Sequence, residues 1–158
     1  MKMRELIDSL DTSSRVDYFL DTCFLLHMIQ KGHTKQLINF CKDNKVGMSS
    51  FNLDEIDHVH HRLTGTVNHH LRDILKKKIF SKVIVDVHPG DREAERQYVQ
   101  DLDKDILRIV PDPSDAVLFV QALKMRASLL TKDKHHLFTT GAENYLQEYG
   151  IKVYKELP

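Results

Sequence analysis

Short apolar runs alternate with amphipathic stretches along most of this chain, and that alternation restricts the fold more than any other feature. Val16 to Leu20, Val46 to Ser49, Val83 to Val87, Ser128 to Thr131 and Lys152 to Tyr154 read as strands. They are mostly apolar and alternate little, as strands buried on both faces do. The segments between them carry helical spacing: Thr22 to Gln30, His33 to Asn44, a helix capped by Ser50, Val67 to Phe80, Asp91 to Leu102, Asp115 to Ala127 and Ala142 to Tyr149. Met1 to Asp11 has the mixed pattern of an amphipathic helix, and Ile106 to Val110 reads as a connector. The Asp115–Ala127 segment has almost no polar face, so it is expected to be buried. Strands alternating this regularly with helices imply an α/β fold with a mostly parallel sheet covered on both faces.

Four acidic residues stand where a strand gives way to a helix or loop. Asp21 ends the run Tyr18-Phe19-Leu20, Glu55 follows Val46-Gly47-Met48, Asp115 follows Ile109-Val110, and Asp133 follows Leu129-Leu130-Thr131. If the strands are parallel, their carboxyl ends share one edge, where open α/β sheets bind ligands. Four carboxylates gathered there repel one another unless a cation is present. Magnesium or manganese suits such hard oxygen donors, so the pattern points to metal-assisted phosphoryl chemistry.

With 158 residues the chain is expected to form a single domain, 1–158, with a core that needs no staples. Its two cysteines, Cys23 and Cys41, make no disulfide framework, which suits a reducing cytoplasm. No apolar run approaches the ~20 residues of a membrane span, and the N-terminus does not read as a signal peptide. Lys and Arg total 23, equal to Asp and Glu, so no global field attracts polyanions. Setting the four site acids aside leaves 23 basic residues against 19 acidic ones. The basic excess is local: Arg62, Arg72, Lys76, Lys77, Lys78 and Lys82 fall between His58 and Lys82, with Asp73 the one acid among them. Arg62, Arg72, Lys76, Lys77 and Lys78 are therefore candidate phosphate contacts.

Other chemistries fit less well. The histidines at 58, 60 and 61, at 69 and 70, and at 135 and 136 lack the His-x-x-x-His spacing of a helical zinc site within any cluster. His135 and His136, close after Asp133, are the pair placed to touch substrate or move a proton. Cys23 has no glycine-rich nucleophile turn around it and reads as a buried thiol beside Phe24 and Leu25. No phosphate-binding loop of the Gly-x-x-x-x-Gly-Lys type is present. Asp112 reads as a turn residue, and Asp54 and Asp57 as solvated neighbours of Glu55.

Four segments taken in order, Phe19-Leu20-Asp21-Thr22, Ser49-Ser50-Phe51-Asn52-Leu53-Asp54-Glu55, Ser114-Asp115-Ala116 and Leu130-Thr131-Lys132-Asp133, resemble the PIN-domain nucleases, including VapC-like ribonucleases. The likeness runs along nearly the whole chain. It implies a three-layer α/β/α sandwich and an endoribonuclease that hydrolyses RNA with one or two Mg2+ or Mn2+ ions. Asp21, Glu55, Asp115 and Asp133 match the family's acidic positions, and Thr22 and Thr131 its supporting hydroxyls. Asp21 and Asp115 would hold a first ion, Asp133 a second, and Glu55 the attacking water. The resemblance further implies a homodimer, a toxin paired with an antitoxin protein or an RNA-processing enzyme, and single-stranded or looped RNA as substrate. The longer, highly charged Thr64–Leu102 segment departs from a minimal toxin. Two other readings are a flap-endonuclease type of enzyme, whose helical arch is missing here, and a non-catalytic RNA-binding or assembly module that keeps the fold.

Overall fold

The computed structural model describes residues 1–133, 137 and 139–158. Among them, five strands form one sheet: β1 (Tyr18–Leu20), β2 (Val46–Ser49), β3 (Ser81–Val83), β4 (Ser128–Leu130) and β5 (Val153–Tyr154). The order is β3-β2-β1-β4-β5 and every pairing is parallel. Helices cover both faces, giving the expected α/β/α layering.

Side chains on successive strand residues point to opposite faces, and the two cores follow that rule. Phe19 and Leu129 enter one core, while Leu20, Leu130, Val46 and Met48 enter the other. The first core is closed by α6 (Arg92–Leu102), α7 (Ile106–Ile109), α8 (Pro113–Met125) and α9 (Thr140–Gln147). The second is closed by α1 (Met3–Asp8), α2 (Thr22–Gln30), α3 (Thr34–Asp43), α4 (Ser50–Val59) and α5 (Gly65–Lys77). Residues 116–120 and Ala122 of α8 are all buried hydrophobics, so this helix lies inside the molecule as its apolar composition requires. Gly47 sits where nothing larger fits. A Cβ there would stand 2.8 Å from Val16 Cγ1 and 3.1 Å from Val83 Cγ2.

Several boundaries differ from the sequence expectation, each for a local reason. Pairing on β3 covers Ser81–Val83 rather than 83–87, because its partner β2 turns into α4 after Ser49. Beyond that point Ser50 Oγ accepts from the Val85 amide at 2.8 Å, while Val85 and Val87 stay buried and Ile84 faces out. Ser49, not Ser50, caps α4, its hydroxyl accepting from the Asn52 amide. Asp54 and Glu55 consequently fall in the second turn, away from the amides of the first. Asp112 caps α8 and Pro113 takes its first position, so the helix begins two residues before Asp115. Helix α5 runs from a Thr64 cap to Lys77, where Lys78 turns left-handed at φ 51°. Ile106–Ile109 is one helical turn, and among the described residues no helix is long and apolar enough to cross a membrane.

Candidate active site

Strand β1 has β2 on one side and β4 on the other, so the chain reverses direction across the sheet between β1 and β4. Ligand crevices of open α/β sheets open at such a point, outside the carboxyl ends. Asp21 follows β1 there and Thr131 follows β4, with Leu20 and Leu130 in register. A cavity of about 770 Å3 opens over them, walled by α2, α4, α8 and the residues after β4. Asp21, Thr22, Asn52, Glu55, Ser114, Asp115, Lys132 and Asp133 line it.

The four acids that the sequence singles out therefore reach one cavity from four separate places. Asp21 is buried, and its carboxylate accepts three side-chain hydrogen bonds. Oδ2 accepts from Thr131 Oγ1 at 2.8 Å and Cys23 Sγ at 3.2 Å, and Oδ1 accepts from Asn52 Nδ2 at 3.4 Å. Burial raises its pKa and the charge of Asp133 adds to that, while the Thr131, Cys23 and Thr22 backbone donors pull it back. Glu55 Oε1 accepts from Asn52 Nδ2 at 3.0 Å. Burial and then Asp21 push its carboxyl up to about 7, against the Asn52 bond and with help from Asp115 and Glu95. Asp115, in the first turn of α8, is hydrogen-bonded to Asp133, and burial followed by Asp133 holds its carboxyl well above the usual range. The threonines differ in role. Thr131 is wholly buried and its Oγ1 also accepts from the Asp133 amide at 3.0 Å, joining two of the acids. Thr22 Oγ1 is buried in the cavity wall with no hydrogen-bond partner among the described residues.

Three further residues shape the site and were not singled out from the sequence. Asn52 is one: Ser49 Oγ donates to its Oδ1 at 2.8 Å, which turns the amide NH2 toward both Asp21 and Glu55. The Ser-x-x-Asn spacing of a helix cap was the available signal. Glu95 is another, fully buried in α6, where it accepts from Ser114 Oγ at 2.7 Å and the Gly90 amide at 3.1 Å. It braces the α8 entry one residue before Asp115, and nothing in its acid-rich segment set it apart from its solvated neighbours. Lys132 is the third, a cation on the cavity wall whose Nζ lies 5.5 Å from the Phe24 ring centroid.

Two readings need correction. Cys23 does not enter the core; it lines the cavity, bonding Asp21 and accepting from the Lys132 amide at 3.3 Å. The reason is its place one residue into α2, which directs it across the sheet edge rather than beneath it. Desolvation at the cavity wall and then Asp21 push its thiol up to about 12, which disfavours a thiolate nucleophile. Asp54 and Asp57 are not simply solvated: one helical turn apart on α4, they meet Arg4 of α1 at 2.8 and 3.0 Å.

The basic residues on and around α5 do not reach the cavity. Arg62, Lys76 and Lys78 are exposed, Lys77 pairs with Asp73 at 3.2 Å, and Arg72 is engaged by Asn68 and the Met1 carbonyl. His135 and His136 lie outside the described residues.

The donor set suits a hard divalent cation in its chemistry: oxygen ligands, three carboxyls raised by burial and then by a neighbouring acid's charge, and a buried hydroxyl without a partner among the described residues. Among the described residues, however, no three His, Cys, Asp or Glu side chains form a ready-made metal group. Asp115 and Asp133 are bonded to each other, and Asp21 and Glu55 are bridged by Asn52.

No model of a known protein family matches this chain, and no curated protein matches it. Among solved structures it is similar to a chain from the crystal structure of VapBC2 from Rickettsia felis bound to a DNA fragment from their promoter. The TM-score is 0.56 at 13% identity, over 87% of this chain and 96% of that one. The likeness is one of fold, and it agrees with the PIN-like architecture the sequence leads one to expect.

Proposed function

We propose that this protein is an endoribonuclease that hydrolyses RNA phosphodiester bonds at the acidic cavity with bound Mg2+ or Mn2+. The observation that carries the reading is the convergence of Asp21, Glu55, Asp115 and Asp133, from four separate segments, on one cavity at the switch point of the sheet. Those four would hold one or two ions, Asp21 and Asp115 the first and Asp133 the second. When bound, the metal supplies positive charge to the phosphate and a more acidic water. Thr131 holds the Asp21 carboxylate and the Asp133 backbone in a fixed relation, and Asn52 sets Asp21 against Glu55. Glu55 Oε1 is engaged by Asn52, so Oε2 is assigned to orient the attacking water. The fold shared with a chain of a VapBC complex supports an antitoxin protein as partner, with RNA processing the other setting. We assign the protein to the cytoplasm, as a homodimer acting on single-stranded or looped RNA.

Purified protein is to be incubated with a mixed single-stranded RNA pool in Mg2+, Mn2+ or EDTA, beside Asp21→Asn. Cleavage is expected only with metal and only with Asp21 intact. Equal cleavage by a folded Asp21→Asn protein would sink the reading. So would silence of the folded wild type with both metals. The second result would favour a binding module that keeps the fold without catalysis.

A further inference from the structure

Lys132 belongs to two cavities. Besides the acidic one, it lines a neighbouring groove of about 350 Å3 with His27, Lys31, His33, Gln36 and Glu156. The groove is basic where the first cavity is acidic. Among the described residues, Lys31 and Lys132, with the imidazoles of His27 and His33 beside them, stand against Glu156 as its one acid. The two lysines bear on the imidazole: burial and then Lys132 and Lys31 make the His27 ring harder to protonate, and Glu156 acts the opposite way. The groove also receives the start of α3. His33 occupies the cap position there without capping through its side chain, and Gln36 follows in the first turn. Helix starts of this kind favour anions. One anion is already seated: the Glu156 carboxylate lies 3.7 Å from Lys132 Nζ on a side chain that is 79% exposed. A loose surface pair of that sort is readily exchanged for a better anion.

We propose that this groove is a subsite for a backbone phosphate of single-stranded RNA, next to the bond presented to the acidic cavity. Lys132 lies at the boundary and reaches the near phosphate, Lys31 and His33 hold the one beyond it, and Glu156 yields its place when the strand enters. Metal-bound acids in one cavity cannot by themselves bind a long polyanion firmly. A basic groove sharing a wall with them supplies that hold and gives the strand a direction. The inference rests on the nuclease reading for the identity of the strand.

Binding of a short fluorescent single-stranded RNA of mixed sequence is to be followed by anisotropy from roughly 50 to 200 mM salt, in an Asp115→Asn background that spares the RNA. Lys31→Gln with Lys132→Gln should weaken binding about tenfold and make the log–log salt slope shallower by about 1.4, two contacts at about 0.7 each for a single strand. Lys31→Gln alone, on an exposed side chain that the fold does not need, should give half that change in slope. Glu156→Gln should tighten binding about two- to threefold. An unchanged slope in the groove variants would overturn the subsite. It would be overturned equally if Lys76→Gln, Lys77→Gln, Lys78→Gln at the end of α5 carries the loss instead, or if no RNA binding is seen. Groove-dependent binding without cleavage by the wild type would condemn the nuclease reading and leave the subsite standing. Metal-dependent cleavage with groove-independent binding would do the reverse.

Discussion

Asn52 shows how a single neutral side chain can organise charges it does not carry. Its amide NH2 lies between Asp21 and Glu55, and it cannot turn away because Ser49 Oγ donates to its carbonyl oxygen. Replacing it by aspartate keeps the shape, removes both donations and adds a third carboxylate between two others. Asn52→Asp should therefore abolish cleavage, and in EDTA at pH 8 it should lower stability by about 1–3 kcal/mol, the usual cost of removing a buried hydrogen-bond partner. Chemical denaturation at pH 8 reads this directly; an unchanged midpoint would show that the amide does not hold the two acids apart. Glu95 makes the complementary case. It is a fully buried carboxylate whose visible partners are Ser114 Oγ and the Gly90 amide. Glu95→Ala leaves both donors without it and should cost about 2–3 kcal/mol. Glu95→Gln, which keeps an acceptor, should recover most of that loss. Equal losses in the two variants would mean that bulk, not the acceptor, is what α6 supplies.

At the level of elements, the sequence was legible wherever local chemistry and tertiary demand agreed. The apolar run of α8, the β-branched strand residues and the strand–helix alternation all pointed to the fold that is found. Legibility failed where a partner strand ended. Val83 to Val87 looks like one strand because its burial does alternate, yet pairing stops at Val83 when β2 becomes α4. The site was read in the same partial way. Asp21 and Asp133 follow strands β1 and β4 and Glu55 lies on the helix after β2, so they could be seen. Asp115 was singled out although a helical turn, not a strand, precedes it. Asn52, Glu95 and Lys132, by contrast, gain meaning only from neighbours 31, 19 and 109 positions away. The α5 lysines drew notice as a charge run, but a run does not say which face it decorates. Gly47 is the point in the sheet where the packing is least forgiving. Gly47→Ala should destabilise by about 1–3 kcal/mol, because Val16 and Val83 crowd the new methyl from two sides. A shortened partner should restore stability, so Gly47→Ala with Val16→Ala melting above Gly47→Ala alone would confirm the contact. No recovery would place the cost in the backbone of β2.

For the molecule as a whole, the acidic cavity sets stability against function, and pH separates the two. Without metal, Glu55 holds its proton up to about pH 7, whereas its ordinary value is 4.5. A carboxyl raised in this way favours the folded state fully below about pH 4.5 and loses that advantage as pH climbs toward 7. The shift corresponds to a loss on the order of 3 kcal/mol for Glu55 across that window. Asp21 and Asp115 are displaced in the same direction and add to it. His27, whose ring is harder to protonate when folded, works the other way, so wild-type melts alone would blur the effect. The comparison with Glu55→Gln isolates it. In EDTA the variant should match the wild type near pH 5 and melt several degrees higher at pH 8. Mg2+ or Mn2+ should then raise the wild-type Tm at pH 8 far more than at pH 5, and raise the variant less. This response follows from four carboxylates gathered at one edge and needs no RNA. If the pH 8 melt ignores both metals, the acids do not form an ion site, and the cavity needs another explanation.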